Sequence, residues 1–151
     1  MKDSGSYFVL VGKDYYDANG GAYNMQIDVA RGIQQESDAN YSNGSISGAN
    51  ALHLSADISD NDRYQVAKVA GTIMAPEYST FDKDIYALGR LNAGNTVDLT
   101  TLLPSTTNLT PLVTLYSSNG VPITDSDGSS VDGTFSATLL TDGDYYVQVE
   151  Q

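Results

Sequence analysis

Hydrophobic and polar positions alternate with a period of two along most of the chain. Tyr7, Val9 and Val11 alternate with Phe8 and Leu10. Tyr23, Met25, Ile27 and Val29 alternate with Asn24, Gln26 and Asp28, and Tyr145, Val147 and Val149 with Tyr146, Gln148 and Glu150. Successive strand side chains point to opposite faces, so this pattern predicts strands with one face on a core. Further strands are predicted near 64–74, 84–90, 96–102, 112–117, 121–124 and 134–140. Turn dipeptides punctuate them: Asn19-Gly20, Asn43-Gly44, Gly94-Asn95, Asn119-Gly120, Asp127-Gly128, Asp132-Gly133 and Asp142-Gly143. No segment carries an amphipathic helical stripe, and residues 30–38 read as a turn or short linker. Many short strands with regular turns predict an all-β fold, an antiparallel β-sandwich.

The pattern repeats. Gly5-Ser6-Tyr7-Phe8-Val9-Leu10-Val11 and Gly143-Asp144-Tyr145-Tyr146-Val147-Gln148-Val149 share the form Gly-x-Tyr-aromatic-Val-x-Val. The first copy continues through a loop into the strand-like segment 23–29; the second is followed only by Glu150 and Gln151. The expectation is therefore that residues 1–34 form the closing hairpin of a preceding repeat plus a linker. Residues 35–151 would form a sandwich lacking its last strand, completed by residues 5–29 in the same molecule or in a neighbour. Tyr146 and Gln148 suit a wet face, whereas their equivalents Phe8 and Leu10 call for cover.

Composition narrows the chemistry. With 7 Lys+Arg against 19 Asp+Glu, the 151-residue chain carries a formal charge of −12. That balance argues against binding nucleic acid or an anionic membrane. No apolar run is long enough for a membrane helix. Without cysteine there is no disulfide, thiolate metal site or thiol nucleophile, and a single histidine, His53, excludes multi-histidine centres. Sixteen of the nineteen acids are Asp, a turn former and a hard oxygen ligand.

Several segments in order resemble the bacterial pre-peptidase C-terminal domain family, secreted β-sandwich modules that include the collagen-binding domains of clostridial collagenases. They are Glu36-Ser37-Asp38-Ala39-Asn40, Gly71-Thr72-Ile73, Asp82-Lys83-Asp84-Ile85-Tyr86, and Leu91 through Val97 with its Ala93-Gly94. Pro111 to Gly120 (Pro-Leu-Val-Thr-Leu-Tyr-Ser-Ser-Asn-Gly) and Gly143 to Val149 complete the set. The chain departs from the family at Ser37, Asp38, Ala39 and Ile85, and residues 51–68 are longer than usual. The resemblance implies a jelly-roll-like sandwich, an extracellular or cell-surface location, and a non-catalytic accessory role in a larger exported protein.

Asp82 and Asp84 at the start of a strand can converge on a cation, and calcium takes six to eight oxygens. In calcium-binding members the opening acidic segment shares one ion with the Asp-x-Asp motif. The resemblance thus implies Ca2+ held by Glu36, Asp38, Asn40, Asp82 and Asp84. The competing reading is that these are turn and capping carboxylates. Asp57, Asp60 and Asp62 read as a solvated loop. Asp125-Ser126-Asp127-Gly128 opens like an EF-hand but has Ser130 and Ser136 where glycine and glutamate are required.

No catalytic residues are expected. There is no nucleophile elbow, no phosphate loop, and His53 sits alone between Leu52 and Leu54. Tyr15, Tyr16, Tyr41, Tyr64 and Tyr78 are the tyrosines that strand alternation explains least. They are candidate contacts for extracellular polysaccharide or protein fibrils, against ordinary loop packing. The expected partners are neighbouring repeats or another copy of the chain. The rival to a calcium module is an ion-free structural or adhesive repeat that associates by hairpin or strand exchange. A carbohydrate- or collagen-binding module is the third reading.

Overall fold

The computed structural model describes residues 8–11, 25, 32–39, 41–56, 64–74, 81–129 and 132–151. The chain divides into two compact units, Met1–Gly32 and Ile33–Gln151. In the first, Phe8 to Val11 lie outside any strand, and Phe8 and Leu10 are 92% and 94% exposed. Most of the segments 5–11 and 23–29 falls outside the described residues.

The second unit is all-β and sandwich-like. Its strands are β1 (Gln34–Gln35), β2 (Asn50–Ala51), β3 (Ser55–Ala56), β4 (Gln65–Val66), β5 (Val69–Ala70), β6 (Lys83–Leu91), β7 (Thr96–Thr100), β8 (Leu112–Ser117), β9 (Thr134–Thr138) and β10 (Gly143–Glu150). Among the described residues the only helix is a 3-10 turn, Ile46–Gly48, and no helix is long and apolar enough to cross a membrane. The main sheet has the order β2-β6-β10-β8, and β7 pairs with β9 in a second sheet. The long pairings are antiparallel, but β1–β5 and β2–β6 are parallel.

Alternation builds the core as the sequence predicts. Tyr145 and Val147 of β10, Val113 and Leu115 of β8 and Tyr86 of β6 point inward. They meet Val97 of β7 and Phe135 and Ala137 of β9. Two features depart from simple period two. Register slips where Tyr145 faces Gly89 but Tyr146 faces Ala87. The extra residue is Leu88, and Gly89 takes φ 78°, a conformation glycine adopts without penalty. This β-bulge reverses the parity of β6, so that both Leu88 and Leu91 pack on the core. Gln148, expected on a wet face, is 7% exposed. It lies mid-sheet between Ile85 and Thr114 on the flanking strands, where little solvent reaches.

The segment 121–124 supplies only a single bridge, Pro122 to Tyr116. Asp142 accepts the Ala93 amide at 2.8 Å and so fastens two turns. Asp125 to Gly128 form a turn laid beside β9, with Asp125 accepting the Ser136 amide at 3.2 Å. The Tyr145 hydroxyl donates to the Thr141 carbonyl at 2.7 Å, which locks the turn into β10. Tyr145→Phe removes that bond and leaves a partly buried carbonyl short of a donor. We expect a loss of about 1–2 kcal/mol in urea unfolding with no change in m-value.

Candidate metal centre

Polar side chains, rather than long ladders, hold the segment that follows β1. The Gln34 amide donates to the Ala51 carbonyl at 2.7 Å and accepts the His53 amide at 3.1 Å. Asn50 accepts the Ser37 amide at 2.7 Å and donates to the Ser37 carbonyl at 3.1 Å. These amide side chains mimic strand pairing and deliver Asp38 and the turn 41–45 to the start of β6. There the Ile85 amide donates to the Asn43 carbonyl at 3.1 Å.

Asp82 precedes β6 and Asp84 lies within it, on the same face as Tyr86. The sequence places them at a strand start, where the chain can turn them inward. Asp38, Asp82 and Asp84 each bring one carboxylate oxygen to within 4.8 Å of the others. Asp82 and Asp84 are only 4% and 2% exposed, and Asp38 is half-buried. Calcium–oxygen distances of 2.3–2.6 Å allow ligands on opposite sides of one ion to lie about 5 Å apart, so the spacing fits.

The hydrogen bonds account for only part of the acceptor capacity. Asp82 Oδ2 accepts the Met74 amide. Asp38 Oδ1 accepts the Asn43 amide at 3.4 Å and the Ser42 hydroxyl at 3.5 Å. Asp84 Oδ1 accepts Asn43 Nδ2 at 2.9 Å. Among the described residues, Asp38 Oδ2, Asp82 Oδ1 and Asn43 Oδ1 are buried without any hydrogen-bond partner. Buried unpaired acceptors are costly. Three in one place, two of them on carboxylates, suit a hard cation. The donor set is all oxygen, which favours calcium or magnesium over softer metals.

Electrostatics agree with the crowding. Burial, chiefly, pushes the Asp84 carboxyl up from 3.8 to about 7, with Glu36 and Asp82 adding to the rise and the Asn43 hydrogen bond opposing it. Burial and the neighbouring Asp84 and Glu36 also push the Tyr86 hydroxyl well above its ordinary value. That hydroxyl stays neutral and donates to Glu36 at 3.2 Å.

The structure thus brings together three of the five residues expected to hold an ion. Glu36 lies beside Asp84, but its oxygens accept the Thr72 amide and the Tyr86 hydroxyl; it braces the centre. Asn40 lies outside the described residues. Asn43, 0% exposed, is a central member that the sequence reading marked only as a turn. Gly71 closes the Glu36 side: a Cβ there would stand 2.5 Å from Glu36 Oε2 and 2.7 Å from the Tyr86 hydroxyl. Gly71→Ala is accordingly expected to dislodge Glu36 and lower Tm, read by circular-dichroism melting.

Tyr64 is 56% exposed, Tyr41 is half-buried with φ 58°, and Tyr15, Tyr16 and Tyr78 lie outside the described residues, as do Asp57, Asp60 and Asp62. His53 is exposed. Comparison with protein-family models, curated proteins and solved structures gives no match to this chain.

Proposed function

We propose that this chain is a non-catalytic accessory module whose sandwich is closed at one end by a structural calcium ion. Asp38, Asp82 and Asp84 would hold the ion, with Asn43 Oδ1 within the same buried cluster. The observation that carries this reading is the coincidence of three clustered carboxylates with three buried oxygens that have no donor among the described residues. The ion would join Asp38 and the 41–45 turn to β6, beside the hydrogen bonds from Ile85 to Asn43 and from Asn43 to Asp84. Such an ion would stabilise the folded state by RT ln(1 + [Ca2+]/Kd). By its family resemblance the module would work outside the cell, attached to a larger exported bacterial protein.

Thermal melting in EDTA and in millimolar calcium tests the reading. Calcium at about 100 times its Kd adds ~2.7 kcal/mol, which raises Tm by roughly 10 °C in a unit of this size. Equal melting temperatures under both conditions would remove calcium from the account.

The second reading, an ion-free repeat that associates with neighbouring copies, draws on the exposed apolar pair Phe8 and Leu10. It expects concentration-dependent association by sedimentation velocity that Phe8→Ser plus Leu10→Ser abolishes.

A further inference from the structure

The segment that carries the candidate centre includes Asn43-Gly44, whose own chemistry the metal reading leaves unused. Glycine after asparagine leaves the following backbone nitrogen unhindered and conformationally free. After losing its proton, that nitrogen can attack the asparagine Cγ. The N–Cγ bond forms, the Cγ–Nδ2 bond breaks, and ammonia leaves with the proton. Water then opens the resulting five-membered imide at either carbonyl, giving aspartate or isoaspartate. No electron transfer is involved, and water is the only co-reactant.

The attacking and leaving nitrogens of this reaction are both hydrogen-bonded in the folded chain. The Asn43 carbonyl accepts the Ile85 amide at 3.1 Å, which fixes the peptide plane between residues 43 and 44. The Gly44 amide donates to the Tyr41 carbonyl at 3.3 Å. The leaving nitrogen, Asn43 Nδ2, donates to Asp84 at 2.9 Å. Gly44 packs on β6, where a Cβ would touch the Lys83 carbonyl at 3.4 Å, and Asn43 is buried from the water that opens the imide. Asn119-Gly120 offers the contrasting case, exposed in the turn after β8.

We propose that Asn43-Gly44 is a covalent modification site gated by docking of the 41–45 turn on β6. It converts when the turn lifts and stays intact while the turn is seated. The identity of the ligand that holds the gate rests on the calcium reading; the gate itself rests on the hydrogen bonds to β6. Conversion makes release permanent. An aspartate at 43 sets a fourth acid among Asp38, Asp82 and Asp84 and removes the amide donor to Asp84. An isoaspartate lengthens the backbone and breaks the register with Ile85.

The test incubates the full chain at mildly alkaline pH in calcium, in EDTA and in urea. Conversion at residues 43 and 119 is followed by peptide mass spectrometry, and calcium binding is measured calorimetrically on the same preparation. The Asp38→Ala chain, which lacks the acceptor for the Asn43 amide, is run in EDTA beside the parent. Conversion at 43 should be fastest in urea, slower in EDTA, and slower again in calcium by about 100-fold at 100 times Kd. Residue 119 should be indifferent to calcium, and Asp38→Ala should speed conversion at 43. Native conversion as fast as in urea would overturn the gate, and no conversion in urea would overturn the modification site. If calcium binds without slowing conversion, the ion is not what holds the gate. If calcium does not bind but conversion is still slower than in urea and faster in Asp38→Ala, the gate stands and the calcium reading falls.

Discussion

Asp82→Asn is expected to abolish the calcium-induced rise in Tm while leaving the ion-free protein as stable as the parent or more so. Asparagine keeps an oxygen to accept the Met74 amide, so the local fold retains that hydrogen bond. It removes one carboxylate from a cluster in which Asp84 is already pushed up to about 7. Without an ion, that carboxylate repels its neighbour in a poorly hydrated place, and its loss relieves the strain. With calcium, it is a ligand and a compensating charge, and its loss weakens binding. The two effects have opposite signs, so melting curves of parent and variant should cross between EDTA and calcium. A merely structural aspartate predicts a variant less stable in both. Asp127→Asn, in an exposed turn, serves as the control that moves neither curve.

The second large effect is on pH dependence. Asp84 has a folded-state pKa of about 7 against an ordinary value of 3.8. Between those limits the folded chain binds a proton that the unfolded chain has released. This contribution to stability is present in full below the unfolded value and is lost as pH rises through about 7. In EDTA the difference costs about 1.4 kcal/mol per pH unit for one proton. Bound calcium would reverse the dependence, because it would take the ionised carboxylate and displace that proton. Melting temperatures in calcium and in EDTA should therefore converge as pH falls toward the ordinary Asp value and separate as it rises to neutrality. Asp84→Asn should flatten the EDTA curve across this window. Parallel curves in the parent would contradict the competition between proton and ion.

The sequence made the long strands legible because their packing is local in pattern. Residues 112–117 alternate and form β8 over the same span, and Tyr145, Val147 and Val149 alternate and line one face of β10. The short parallel strands were not legible. Gln34 and Asn50 hold β1 and β2 in place through side-chain amides, and no periodicity records such contacts. Nor could alternation show that β10 runs between two neighbours, which buries Gln148 on the face expected to be wet. At the centre, Asp82 and Asp84 announced themselves by spacing and Asp38 through the family resemblance. Asn43 did not, since its role depends on Asp84, 41 residues away. Glu36, expected as a ligand, accepts instead from Thr72 and Tyr86, which come from strands and turns whose approach only the fold defines.

Asp38, Asp82 and Asp84 are proposed to form a calcium site. Its most direct test is calorimetric titration of calcium into chelator-treated protein at neutral pH, beside the Asp82→Asn and Asp84→Asn chains. The account expects saturable binding in the parent, with proton release on binding, and loss of both signals in each variant. Absence of saturable heat in the parent, or binding that survives both substitutions, would contradict it.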